Sequence, residues 1–208
     1  LARWLLSAPR RLSYRLVFVP ETIGAIAYLS VNSDAMKANT IAGFQVVCVG
    51  GPADFTYLET RLGNTLTDRL ARHVLEGAGI AHRVLDYRHR ASDERQWCSP
   101  GIDLPVGSLM RSKYQDYPEY HSSKDDLDFV RPEHLEQSFN LYVRCLEALE
   151  SGCPGLPAAN PAPALDQPTG VLYAGTLDGC EPNLGRRGLY PTLGGRSHQA
   201  ADATLLLD

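Results

Sequence analysis

Glu21 stands directly after an apolar run, Ser13 to Val19, and directly before residues with helical spacing. The carboxyl end of a strand in an α/β sheet is where ligands bind. A carboxylate partly desolvated there has a raised pKa and suits proton abstraction. The competing reading is a helix N-terminal glutamate held by the helix dipole. His121 lies in Glu119-Tyr120-His121-Ser122-Ser123-Lys124-Asp125-Asp126. An imidazole beside hydroxyls and carboxylates is a candidate metal ligand with a nearby acceptor to fix its tautomer; the alternative is an exposed loop histidine. Ser92-Asp93-Glu94-Arg95 sets two carboxylates beside a guanidinium, either a site acid with a charged partner or a solvated turn. Cys98 has no accompanying His/Asn pattern and reads as a packed thiol rather than a nucleophile. The other histidines sit on helix faces or in polar stretches and read as surface residues. Neither GxGxxG nor a P-loop occurs, and the Gly-rich GRRGLYPTLGG reads as a structural turn.

These residues need elements to position them. Ser13 to Val19 and Gly43 to Val49 have the composition of buried strands. Thr22 to Leu29 reads as a helix with Thr22 as N-cap, and Asp34 to Ile41 as a second helix or a turn. Asn64 to Glu76 carries Leu66, Leu70, Val74 and Leu75 near one face, so a helix capped by Asn64 and stopped by Gly77 is expected. Ala81 to Tyr87 reads as a third strand. Ala91 to Gly101 reads as a loop, and Leu104 to Met110 as an edge strand because it contains Pro105. Arg111 to Asp126 is a long loop holding Tyr114, Tyr117, Tyr120 and His121, a kind of segment that often carries function. Pro132 to Leu149 is the longest helix, with proline at its start. Residues 1–150 are expected to be the C-terminal part of an α/β domain, 151–168 a Pro/Ala/Gly-rich linker, and 169–208 an extension that packs back on the domain.

The 208 residues carry a net charge of −4, and 44% are hydrophobic, enough for a buried core without staples. No stretch has the apolar length of a membrane helix. The densest basic stretch, Arg83 to Arg90, contains Asp86, so no nucleic-acid partner is expected of this segment. Five cysteines, an odd number without CxxC, argue against a disulfide framework and for a reducing, cytoplasmic setting. The first residue is not Met, and both ends are abrupt, so a piece of a longer chain is expected.

FVPETIGAIAYLS, SDERQWCSPGIDLPVGSLMR, YPEYHSSKDDLDFV and CEPNLGRRGLYP together resemble a bacterial family of aminopeptidase-like proteins. That family is associated with polysaccharide biosynthesis and often ends in a winged helix, here expected beyond Asp208. Its fold is similar to that of the co-catalytic zinc aminopeptidases. The resemblance implies a three-layer α/β/α sandwich with a mixed sheet. It also implies amide hydrolysis with Glu21 as general base, His121 and Asp93 on zinc, and Glu94, Arg95 and Tyr120 against a peptide-like or amide substrate. Thr22 stands where the group carries a second Glu, and Gly50-Gly51-Pro52 where it carries an acidic ligand. One or two zinc ions are therefore expected only in a longer chain, with the first His and the bridging Asp upstream of Leu1. The alternative is a catalytically silent module that binds a peptide or saccharide. The same chemistry suits a monomer or a homo-oligomer.

Overall fold

The computed structural model describes residues 1–152. The linker beyond Gly152 and the expected extension over 169–208 lie outside the described residues. A four-stranded sheet runs β1 (Gly43–Gln45), β4 (Val106–Met110), β2 (Phe55–Leu58), β3 (His82–Leu85) in spatial order. β1 and β4 are parallel, β2 and β3 are parallel, and β2 and β4 are antiparallel, so the sheet is mixed.

Alternation along β2 and β4 divides the core in two. Phe55, Tyr57 and Leu109 face helices α3 (Leu66–Gly77) and α5 (Pro132–Glu150). On α3, Leu70, Ala71, Val74 and Leu75 fall at helical spacing; on α5, Leu141, Tyr142, Cys145 and Leu149 do the same. Val106 faces the other way, toward Ala25 and Leu29 of α2 (Ile23–Asn39) and Trp97 of the short α4 (Glu94–Trp97). Helices thus cover both faces, the sandwich the resemblance implies. The remaining helix, α1 (Ala2–Leu6), precedes the sheet.

Several elements differ from the sequence expectation. Ser13 to Val19 forms no strand; Leu16 and Phe18 are exposed, and the chain there is tied to the end of α5 by Tyr14 and Arg11 on Glu150. Its apolar content predicted burial, yet a strand needs a ladder partner, and none lies beside it among the described residues. β1 stops at Gln45 instead of Val49. Cys48 turns left-handed (φ 50°), which no strand continues through, and its carbonyl accepts the Arg111 N–H at 3.0 Å. The stretch over 22–41 holds one helix, α2, instead of two elements, and Thr22 before it makes no side-chain cap bond. The cap of α3 is Thr65, one residue after Asn64. Thr65 and Asp68 bond each other's backbone N–H groups in a capping box that Asn64 lacks. α4 falls inside the stretch read as loop.

β4 is central, not an edge. Pro105 sits just before its first residue, so the missing N–H falls outside the ladder, while the Pro105 carbonyl accepts the Gly43 N–H at 3.0 Å. β2 was not expected from sequence and is buried along its whole length.

Gly107 of β4 lies under Tyr57. A Cβ there would meet the Tyr57 ring at 2.8 Å and the Leu58 carbonyl oxygen at 3.0 Å. Tyr57 cannot step aside, since its hydroxyl donates to buried Asp68 at 2.8 Å. Gly107→Ala is expected to lower stability by about 1–3 kcal/mol, the usual cost of overpacking, read as a lower urea midpoint.

Candidate functional site

Parallel β1 and β4 deliver their carboxyl ends to one side of the sheet, where Cys48 and the 111–121 loop emerge. The turn 91–94 and the entry to α2 close on the same place. Glu94 anchors it. Its side chain is wholly buried and accepts four hydrogen bonds. Donors to Oε1 are the N–H groups of Ala91 (2.8 Å) and Ser92 (2.9 Å) and the Tyr114 hydroxyl (2.6 Å); the Ser108 hydroxyl of β4 donates to Oε2 at 3.0 Å.

With its backbone so fixed, buried Ser92 donates its hydroxyl to Glu21 Oε1 at 2.6 Å. Asp93 accepts the Thr22 N–H on Oδ1 at 2.7 Å. The Glu21-Thr22 pair is therefore joined to Ser92-Asp93 by two adjacent bonds across 71 residues of sequence. Glu21 itself is exposed, and its Oε2 has no hydrogen-bond partner among the described residues. Burial raises the Asp93 pKa above the ordinary carboxylate value; the Thr22 N–H opposes this, and the charges of Glu21 and Glu94 add to it. Arg95 is half-buried and its charge works on Asp93 in the lowering sense.

The aromatic loop forms the other wall. Tyr120 packs on Tyr117 with ring centroids 5.6 Å apart, and Tyr117 stacks on Phe129 at 4.9 Å. Burial pushes the Tyr120 phenol upward, and the charge of Glu21 pushes the same way. His121 is exposed, left-handed (φ 57°), and stacked on the Tyr120 ring at 4.0 Å. The Cys48 thiol, raised by burial, lies 3.7 Å from the Tyr117 hydroxyl. Cys98 is a packed thiol, wholly buried, bonded to the Leu104 and Val106 carbonyls and pushed up to about 12 by burial.

The structure thus brings Glu21, Asp93 and Glu94 into one hydrogen-bonded unit and places Tyr120 beside it. Glu94 lies beneath the site, with its oxygens taken by the fold, where a substrate-binding side chain was expected. No group of three or more His, Cys, Asp or Glu side chains able to hold a metal occurs among the described residues. The residues present therefore do not by themselves fit a zinc site. Ser108, Cys48 and Lys113 were missed by the sequence reading. A serine within the otherwise apolar VGSLM strand was the available signal for the first.

Residues 1–152 match the family described as Domain of unknown function (DUF4910), and the chain belongs to that family. Residues 172–208 match a second family, described as winged helix-turn-helix, so the winged helix expected beyond Asp208 finds its match within the chain. The expectation of no nucleic-acid partner is accordingly kept for residues 1–152 alone. Over 202 residues, 97% of this chain, the sequence is 37% identical to a Clostridium acetobutylicum protein named as a candidate polysaccharide biosynthesis protein with an aminopeptidase-like domain. A solved chain from Clostridium acetobutylicum, described as a candidate peptidase, superposes with a TM-score of 0.69 at 38% identity over 72% of this chain and 35% of its own. An aminopeptidase from Aneurinibacillus sp. strain AM-1 shares the fold, with a TM-score of 0.51 at 18% identity over 67% of this chain and 31% of its own. The chain spans 42% of the length of its Clostridium acetobutylicum relative. The α/β fold is that of the aminopeptidases. No helix among the described residues is long and apolar enough to cross a membrane.

The raised pKa of Asp93 has a stability consequence. The folded protein holds this proton at pH values where the unfolded chain, with an ordinary Asp near pKa 3.9, has lost it. The stabilisation is full below that value and is lost as pH rises through the raised folded pKa. Asp93→Asn keeps an acceptor for Thr22 without a charge. Its thermal midpoint relative to wild type is expected to rise between pH 3.5 and pH 7; a difference that stays constant would contradict the assignment.

Proposed function

We propose that the full-length protein hydrolyses an amide or peptide bond in a peptide-like or small amide substrate, with Glu21 as the general base. The observation that carries this reading is the 2.6 Å hydrogen bond from Ser92 to Glu21 Oε1, beside the 2.7 Å bond that pins the next residue to Asp93. One carboxylate oxygen is held by the protein, and the other has no hydrogen-bond partner among the described residues. That is the arrangement of a base poised to take a proton from water and pass it to a leaving amine. Asp93 and Glu94 are positioning residues in this scheme, acting through Thr22 and Ser92. Tyr120 is the group nearest in kind to an oxyanion donor, and Arg95 a contact for the substrate.

Zinc enters through the resemblance, with Asp93 and His121 as its ligands from this segment and the others supplied from beyond residues 1–152. Because those two join no third ligand among the described residues, the chemistry assigned to this segment is proton transfer and positioning. A reducing, cytoplasmic setting is part of the same proposal, from five cysteines without a CxxC. The second reading, a silent module that binds a peptide or saccharide, draws on the same incomplete ligand set.

Hydrolysis of amino-acid p-nitroanilides by the full-length protein separates the two. Glu21→Gln is expected to lower kcat by roughly 10²–10⁴-fold, the usual contribution of a general base. Ser92→Ala should cost about tenfold, one hydrogen bond to a charged group. A Glu21→Gln variant that cleaves at the wild-type rate removes Glu21 from the mechanism. A wild-type protein that binds peptides and cleaves none of the anilides establishes the silent module.

A further inference from the structure

An open groove of about 730 Å³ runs along the start of β2 and β3, where the chain leaves β4. Three cations line it, Arg83, Arg111 and Lys113, with Asp54, Asp116 and His82. Arg111 is spent on the fold. Its Nε donates to the Gly51 carbonyl at 2.9 Å, Nη1 donates to Gln137, and the guanidinium covers the Phe55 ring at 4.8 Å.

Lys113 is different. Only 5% of its side chain is exposed. Among the described residues its one hydrogen bond is to the carbonyl of its own neighbour, Tyr114, at 3.1 Å, and the ammonium sits 4.4 Å from the centroid of the Tyr114 ring. Asp116 stands 3.8 Å away, too far for a hydrogen bond. An ammonium has three donors, so two are unspent. Across the groove Arg83 donates Nε to Thr56 Oγ1 at 2.9 Å and pairs through Nη2 with the same Asp116. Asp116 is exposed, follows left-handed Gln115 (φ 69°), and spans the two cations while satisfying only one.

A buried ammonium with unspent donors costs free energy that a Met or Leu in its place would not. Arg83 and Lys113 both face the one exposed carboxylate of Asp116, so the groove sets two cationic donors around a single oxyanion. We infer that this groove binds a small oxyanion, a carboxylate or a phosphate, between Lys113 and Arg83. Tyr117 lines the groove and also contacts Cys48 of the Glu21 cleft at 3.7 Å, so the two sites share a wall. Oxyanion binding here does not depend on Glu21 acting as a base.

Titration calorimetry on the full-length protein with inorganic phosphate, and separately with acetate, tests the inference. Saturable millimolar binding of at least one probe is expected. Acetate alone indicates a substrate carboxylate; phosphate alone indicates a phosphate or its ester. Arg83→Gln, at a half-exposed position that tolerates change, should weaken binding on the order of tenfold. Asp116→Asn removes the competing carboxylate and should tighten it several-fold. Lys113→Met should abolish binding without lowering the unfolding midpoint in anion-free buffer. Glu21→Gln should lose anilide hydrolysis and keep probe binding, which separates this inference from the hydrolase reading. No saturable binding of either probe, or binding unchanged in both Arg83→Gln and Asp116→Asn, overturns it.

Discussion

One carboxylate with no exposed surface, Glu94, sets the geometry of everything around the cleft. A buried carboxylate is tolerated only where donors surround it, and a missing donor costs several kcal/mol. Here the donors come from three separate pieces of chain: the 91–92 backbone, Ser108 in the middle of β4, and Tyr114 in the loop beyond it. The bond to Ser108 ties the turn to the centre of the sheet. The Tyr114 hydroxyl ties it to the aromatic loop. Ser92, held from below through its N–H, then presents its hydroxyl upward to Glu21. The position of an exposed acid is thus set from the central strand through two intervening side chains.

That anchoring also explains where the backbone is strained. Thr22, Cys48 and His121 all have positive φ, and a β-branched residue such as Thr22 is a genuine outlier there. Each such residue costs about 1–3 kcal/mol and persists only where its surroundings over-determine it. Asp93 holds the Thr22 N–H, and the Arg111 N–H holds the Cys48 carbonyl. Gly24 belongs to the same constraint. A Cβ on it would lie 2.7 Å from Pro20 Cδ and 2.8 Å from Val19 Cβ, so the helix can start this close behind Glu21 only with glycine. The Val19-Pro20-Glu21-Thr22-Ile23-Gly24 segment is one tight device that turns the chain and leaves the carboxylate outermost.

Sequence marked where this segment turns, because Pro20 and the helical spacing after it are local signals, but the apolar run before it was misread as a buried strand and Thr22 as a side-chain cap. Helices α3 and α5 were legible for the same reason, with Pro132 and a clear apolar stripe. What sequence concealed depends on contacts between remote residues. β2 is only four residues long, and its hydrophobic period is too short to read. Pro105 suggested an edge strand, and only the register shows that it stops one residue short of the ladder. Glu94 read as a site acid with a charged partner or as part of a solvated turn because polarity in sequence does not reveal burial; its serine and tyrosine partners lie 14 and 20 residues downstream.

The division of labour within the domain follows from these constraints. Nothing that orients Glu21 requires a metal: its hydrogen bond comes from Ser92, whose support comes from Glu94 and β4. The position of Glu21 is therefore built into this segment by packing and hydrogen bonds. Asp93 meets the Thr22 N–H on Oδ1, and His121 stacks exposed on the Tyr120 ring, so these two side chains approach the Glu21 turn from different elements. Glu21 therefore owes its place to β4, through Glu94 and then Ser92.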